Sequence, residues 1–98
     1  MIYQFADRIS YLREKHQMTQ STLAKKLGIS RSAVNAWEMS LSAPSCKNVI
    51  EMAQIFHVST DYLLGLSDRI TVDITELNNE ERELVFRLVE CLSKEQKQ

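Results

Sequence analysis

Residues 19–38, TQSTLAKKLGISRSAVNAWE, constrain the fold of this 98-residue chain most, because they encode two short helices separated by a tight turn. Thr19 and Ser30 are good N-caps, and each precedes a run of residues with helical spacing. Gly28 lies between the two runs and can adopt the left-handed backbone that ends a helix. Apolar residues recur three and four positions apart in both runs, at Leu23, Ala24, Leu27, Ala33, Val34 and Trp37.

Two capped helices joined by a turn of three or four residues that contains Gly form a helix-turn-helix motif. Once the apolar positions are buried, the second helix leaves Arg31, Ser32, Asn35 and Ala36 facing outward. This face is short and polar and carries one guanidinium, which suits the edge of a DNA base better than a protein core. The pattern therefore favours DNA binding.

The composition is that of a small helical protein. One Pro and two Gly stand among many helix-forming residues, so we expect an all-α chain with one modest core. The N-terminus has no apolar run long enough for a signal peptide, and no stretch approaches the roughly 20 apolar residues that span a bilayer. We therefore expect a cytoplasmic protein that does not contact a membrane.

The sequence offers little for catalysis or metal binding. Cys46 and Cys91 lack the paired spacing of a metal site or a redox motif, and we expect both to be reduced. His16 and His57 are far apart, and there is no Gly-rich phosphate loop. We expect no enzymatic activity, no metal and no cofactor.

The charge is unevenly distributed along the chain. Residues 1–70 contain eight Lys and Arg against six Asp and Glu, a balance of +2, whereas residues 71–98 contain four against seven, a balance of −3. The acidity therefore lies in the tail. A balance of +2 is weak for a nucleic-acid binder, so contacts to phosphate would depend more on helix N-termini and backbone amides.

Three further helices complete the first two thirds of the chain. The spacing predicts a first helix over residues 3–16, in which Arg8 and Lys15 remain exposed. Residues 45–56 form a fourth helix shortly after Pro44, and Ser59 or Thr60 caps a short fifth helix that ends at Gly65. Five helices then enclose one small core.

The tail has two distinct patterns. Residues 70–75 alternate β-branched and polar side chains, so this segment either lies extended over the domain as a linker or pairs with its own copy across a dimer. Asn78 and Glu81 have the spacing of a capping box, which predicts a helix over residues 78–94. Its apolar stripe is broad enough for part to pack on the parent domain and part on a second subunit, and it comprises Leu84, Val85, Leu88, Val89, Cys91 and Leu92.

Five motifs in order make the chain resemble the lambda-repressor and Cro-like helix-turn-helix family, also called the XRE family. They are RISYLR at 8–13, MTQSTLAKKLGIS at 18–30, WE at 37–38, Pro44, and VSTDYLLG at 58–65. The resemblance covers roughly residues 5–65. It implies five helices, of which the third lies in the major groove and the second crosses the sugar-phosphate backbone.

The resemblance also implies roles for individual residues. Arg31, Ser32 and Asn35 match base-reading positions, and the Ala36 methyl could touch a thymine methyl. Arg13 and Glu38 match a structural salt bridge, and Trp37 is expected in the core rather than as a stacking platform. Ser40 replaces the usual glycine after the third helix and should keep its left-handed shape at some cost. The full expected DNA-contact set is Gln20, Ser30, Arg31, Ser32, Asn35, Ala36, Ser42 and Lys47.

These features predict a lambda-repressor-like domain over residues 1–66, an extended linker over 67–77 and a dimerisation helix over 78–98. The expected function is a homodimeric repressor that binds double-stranded operator DNA. The expected dimer contacts are Leu84, Val85, Leu88, Val89 and Leu92. The alternatives are an antitoxin-like regulator whose C-terminal helix binds a different protein, and a helix-turn-helix used only for protein contacts.

Overall fold

The computed structural model describes the backbone of residues 2–96 and the side chains of residues 5–93. Over that range the chain is all-helical, as predicted, with turns and extended connections but no β-strand. The described residues form six helices: α1 (Ile2–Lys15), α2 (Gln20–Leu27), α3 (Arg31–Glu38), α4 (Cys46–Phe56), α5 (Thr60–Leu63) and α6 (Asn79–Gln96).

Side-chain caps fix where five of these helices begin. The hydroxyls of Thr19, Ser30, Ser45 and Ser59 each accept a hydrogen bond from the backbone N–H three residues later, at 3.0 to 3.2 Å. Such a cap satisfies a donor that the helix itself cannot pair, and it contributes about 1 kcal/mol. At α6, Asn78 and Glu81 form the predicted capping box. The backbone N–H of each donates to the side chain of the other, at 2.9 and 2.8 Å.

The first five helices end in the same way, with one left-handed residue just beyond the last turn. At α3 this residue is Ser40, with φ of 60°. The N–H of Leu41 then donates to the carbonyl of Ala36 at 2.8 Å, which closes the turn. Ser40 therefore keeps the left-handed shape without glycine, as predicted. The left-handed residues are Gln17, Gly28, Ser40, His57 and Gly65.

The core is built by the five helices α1 to α5. It includes Trp37, which is buried as predicted and is not available for stacking on a base. Its largest fully buried side chains are Ile9, Leu23, Val34, Met52 and Leu63, which come from five different helices. Burying one such side chain contributes about 1.5 to 3 kcal/mol. No side chain of α6 within the described range joins this core.

Arg8 is not exposed, and the prediction that it would be was wrong. Its guanidinium lies 4.2 Å from the centre of the Tyr62 ring and donates to the carbonyls of Tyr62 and, at 3.0 Å, Ser67. It also contacts Asp68 at 3.2 Å. The end of α5 places the Tyr62 carbonyl, which also accepts from the N–H of Gly65, beside α1, and a guanidinium can donate to several acceptors at once. Arg8 thereby ties the start of the tail to α1.

The connecting segment, residues 67–77, contains no helix or strand. It contacts the helical body where the N–H of Asp73 donates to the carbonyl of His57 at 3.1 Å. From the other side, the Arg82 guanidinium of α6 donates to the carbonyls of Ile74, at 3.3 Å, and Thr75. The segment therefore runs extended between the body and α6. Its pairing with a second copy remains a prediction.

Candidate nucleic-acid interface

The exposed face of α3 is short and polar. Arg31, Ser32 and Asn35 are exposed, and Ala36 is half-buried. The opposite face anchors the helix, because Val34 is fully buried and packs in the core. The polar side chains are therefore presented to solvent by a helix that is fixed from behind.

Ser30 stands at the start of this helix and uses its hydroxyl as the cap, accepting from the N–H of Ala33 at 3.2 Å. Its own hydroxyl hydrogen remains able to donate outward.

A chain of hydrogen bonds joins three helices behind this face. Arg13 Nε lies 2.7 Å from Glu38 Oε2, and Arg13 Nη2 lies 3.1 Å from Glu38 Oε1. Gln20 Nε2 donates to the same Glu38 Oε1 at 3.1 Å and to Asn35 Oδ1 at 3.3 Å. The network therefore connects α1 to a residue on the exposed face of α3.

The Arg13–Glu38 pair is largely shielded from water, with side-chain exposures of 13% and 9%. The hydrogen bond to Glu38 raises the pKa of Arg13 above its usual value, and the negative charge of Glu38 acts in the same direction. Arg13 also donates to the carbonyl of Met18 at 2.7 Å, so it closes the α1–α2 connection. The pair therefore joins α1 to the last residue of α3.

Gln20 begins α2, and the phosphate contact that the resemblance implies for it stays a prediction. In this structure its side-chain nitrogen donates to Glu38 and Asn35. The backbone amides at the start of α2 can also donate to a phosphate.

The N-termini of α2, α3 and α4 share one electrostatic property. None of these helices has an acidic residue in its first turn. Their N-terminal amides therefore keep the partial positive charge that favours a phosphate. Ser42 lies in the loop before α4, and Lys47 lies in the first turn of α4. Both are exposed and close in sequence to the α4 N-terminus.

The residues expected to form a dimer interface lie in one continuous arc of α6, about 140° wide at about 100° per residue. Leu84, Leu88 and Leu92 are between 51% and 64% exposed. Val85 and Val89 line a groove between α6 and the body, and Val89 is itself 55% exposed. Phe86, which lies outside the stripe read from the sequence, also lines that groove. Helical periodicity identifies an apolar face but not which side chains of that face line a groove.

Cys46 and Cys91 are free and exposed. Within residues 5–93, no group of three or more His, Cys, Asp or Glu side chains is placed to hold a metal ion. None of the described helices has the length and apolar character needed to cross a membrane.

A model of the helix-turn-helix family matches residues 9–63, which is more than half of the chain. The chain therefore belongs to the lambda-repressor and Cro-like helix-turn-helix family of DNA-binding transcription regulators, as the resemblance predicted.

Three particular proteins illustrate this relationship. YobD of Bacillus subtilis (strain 168), an uncharacterized HTH-type transcriptional regulator, is 34% identical over 64 residues, covering 65% of this chain and 57% of YobD. The P22 c2 repressor, solved in complex with a synthetic operator, is 32% identical with a TM-score of 0.58, covering 60% of this chain and 89% of that one. A transcriptional regulator from Listeria innocua has a TM-score of 0.63 at 23% identity, covering 93% and 94% of the two chains, and shows the fold alone. The chain spans little more than half the length of the curated relatives it matches.

Proposed function

We propose that this protein is a sequence-specific transcription regulator that binds double-stranded DNA as a homodimer and acts as a repressor. The observation that carries the proposal is the exposed face of α3, with Arg31, Ser32 and Asn35 on a helix held from behind by the core and the Glu38 network. The major groove of B-DNA admits an α-helix, and exposed polar side chains on such a helix can reach the base edges.

The proposed contacts divide into base reading and phosphate binding. Arg31 donates two hydrogen bonds to a guanine, and Asn35 pairs with an adenine edge. Gln20 holds Asn35 in position through its 3.3 Å hydrogen bond. Ser32 and the Ala36 methyl complete the reading face. Ser30, Ser42, Lys47 and the capped N-termini of α2 and α4 bind phosphates.

The proposed organisation has three parts. Residues 1–66 form the DNA-binding domain, residues 67–77 the linker, and residues 78–98 the dimerisation helix. The exposed row Leu84, Leu88 and Leu92 supports a partner on α6, because three leucines in water on one helix face are costly. Val85 and Val89 border that contact.

A homodimer places two copies of α3 on two half-sites, whose centres lie about one helical turn of DNA apart, roughly 34 to 36 Å. Repression then follows from occupying promoter DNA. The P22 c2 repressor, crystallised on its operator, supports this assignment. With DNA as the ligand, we assign the protein to the cytoplasm, without a cofactor or an enzymatic activity.

The experiment is selection of bound sequences from a random pool of duplex DNA, followed by affinity measurements on the selected duplex. We expect a sequence with twofold symmetry and two half-sites. Replacing Arg31 with Ala should relax selection at one base pair in each half-site. A pool that shows no enrichment, or an affinity that does not change as salt rises several-fold, would contradict DNA binding. A monomer that binds a different protein through the α6 row would instead support the antitoxin-like alternative.

A further inference from the structure

The hydrogen bonds between α1 and the exposed face of α3 form a relay of four side chains: Arg13, Glu38, Gln20 and Asn35. The direction of this relay is fixed at Glu38, whose carboxylate is paired with Arg13 at 2.7 Å and whose side chain is only 9% exposed. An ionised carboxylate accepts hydrogen bonds and has no hydrogen to donate. A side-chain amide beside it must therefore present its nitrogen.

Gln20 is the amide beside Glu38. Its Nε2 lies 3.1 Å from Glu38 Oε1 and 3.3 Å from Asn35 Oδ1, so one NH₂ group faces two acceptors. A half-turn of the amide would place the Gln20 oxygen against both of these oxygens, with no hydrogen between them. The carboxylate of Glu38 therefore excludes the reversed amide of Gln20.

Asn35 takes its orientation from Gln20. Because Gln20 offers hydrogens, Asn35 turns its oxygen toward α2, and its own NH₂ group lies on the opposite side of the amide. Asn35 is exposed, and its oxygen keeps a second lone pair, so both atoms are available to a base. A bidentate contact to adenine needs an amide that donates to N7 and accepts from N6. A reversed amide would offer these two atoms in the wrong order.

We propose that Glu38 is a positioning residue for base recognition, which acts through Gln20 to fix the orientation of the Asn35 amide and thereby favours adenine at that base pair. The proposal rests on the proposed DNA-binding role of Asn35 and names the residue that sets its preference. It differs from the structural role of the Arg13–Glu38 pair, because it requires the carboxylate but not the arginine. The bond between Gln20 and Asn35 lies at the surface, and a bound duplex strengthens it by excluding water.

The experiment separates the carboxylate acceptor from the ion pair. Arg13→Met removes the ion pair and keeps the acceptor, whereas Arg13→Met/Glu38→Met removes both. The measurement is a ratio of dissociation constants, for the selected duplex and for a duplex changed at one base pair. This base pair is the one at which Asn35→Ala loses selection. For the wild type we expect a ratio of at least about fivefold, the lower end for a bidentate contact.

Stability and base preference should move in opposite directions. Arg13→Met leaves a shielded carboxylate without its arginine, so the double variant, which leaves no unpaired charge, should be the more stable in urea titrations. The single variant should nevertheless keep the wild-type ratio, and the double variant should lower it at least about threefold, because a freed amide can offer its atoms in either order. Equal ratios in the two variants, a ratio that follows stability, or an Asn35→Ala that changes no base preference would overturn the proposal.

A second variant is needed if circular dichroism shows that Arg13→Met does not fold. Gln20→Met keeps the ion pair but breaks the relay, so it should lower the ratio as much as the double variant does. Ser21→Ala, at the exposed neighbour of Gln20 on α2, is its control and should keep the wild-type ratio. An unchanged ratio in Gln20→Met would also overturn the proposal.

Hydrogen exchange of the Gln20 side-chain NH₂ group, measured by NMR on the free protein, tests the relay without DNA. Exchange should be slow in the wild type and in Arg13→Met and faster in the double variant, because only the double variant lacks the Glu38 acceptor. If this pattern holds and no duplex is bound, only the DNA-binding role fails. If a duplex is bound with an adenine preference that the double variant retains, only the positioning role of Glu38 fails.

Discussion

The side-chain nitrogen of Gln20 lies 3.1 Å from Glu38 Oε1 and 3.3 Å from Asn35 Oδ1, so one amide joins the structural ion pair to the proposed reading face. Gln20→Ala should weaken duplex binding through Asn35 rather than through a lost phosphate contact. We therefore expect a double-mutant cycle between Gln20→Ala and Asn35→Ala to give a coupling energy of about 1 kcal/mol. The measurement is fluorescence anisotropy with the selected duplex. Strictly additive losses would mean that Gln20 acts alone.

Removing one partner of the partly buried Arg13–Glu38 ion pair should be costly for folding. Arg13→Met leaves the Glu38 carboxylate shielded from water without its main partner, and we expect a loss of about 3 kcal/mol in the free energy of unfolding. Because the pKa of Arg13 is raised, the charged pair contributes fully below the usual arginine pKa and is lost only as the pH rises above it. The loss should therefore be constant between about pH 6 and 9 in urea titrations. Glu14→Gln, which removes only an exposed carboxylate 3.7 Å from Arg13, is the control and should change stability by less than about 0.5 kcal/mol.

Two left-handed positions offer a matched pair of opposite substitutions. Ser40 has φ of 60°, so Ser40→Gly should relieve strain and stabilise the fold by about 0.5 to 1 kcal/mol. Gly28 has φ of 70°, and an added Cβ would meet nothing within 4 Å. Gly28→Ser should therefore destabilise through backbone strain alone, by about 1 kcal/mol. Thermal unfolding of both variants checks the signs. A destabilised Ser40→Gly would contradict the strain argument.

Arg31 and Lys47 should respond differently to salt. Lys47→Ala should weaken binding about equally for all sequences and reduce the salt slope by about 1, because one phosphate contact is lost. Arg31→Ala should lose about 1 to 3 kcal/mol at a single base pair, with less effect on binding to unrelated duplexes. Affinities measured over a series of salt concentrations, on matched and mismatched duplexes, separate the two. The assignment of roles fails if Lys47→Ala changes base preference and Arg31→Ala does not.

Arg8 should stabilise the contact between α1 and the start of the tail. Arg8→Met removes the donors to the carbonyls of Tyr62 and Ser67 while keeping an apolar side chain over the Tyr62 ring. We expect a loss of about 2 kcal/mol in stability and faster amide hydrogen exchange in residues 66–77. Asp68→Asn is the control. Its carboxylate is 95% exposed, so the lost charge should be worth less than about 0.5 kcal/mol. Unchanged exchange in Arg8→Met would show that the backbone bond between Asp73 and His57 is sufficient.

The sequence by itself determined the helices and, for α2 and α3, the side that is buried. Caps and apolar spacing are local properties, so Thr19, Ser30 and Ser45 mark helix starts before any packing is known. The same spacing placed Trp37 in the core, and the ordered motifs were sufficient to identify the family.

Beyond the Arg13–Glu38 pair and the Asn78–Glu81 capping box, only the tertiary structure decided which polar groups meet. Arg8 and Tyr62 are far apart in the sequence, and no periodicity indicates that the end of α5 would offer its carbonyls to α1. In the same way, the helix packing sets the hydrogen bonds of the Gln20 side chain. It also sets which α6 side chains line the groove. Local patterns record which side chains avoid water, whereas the partners of a polar group are set by distances between elements that the sequence does not contain.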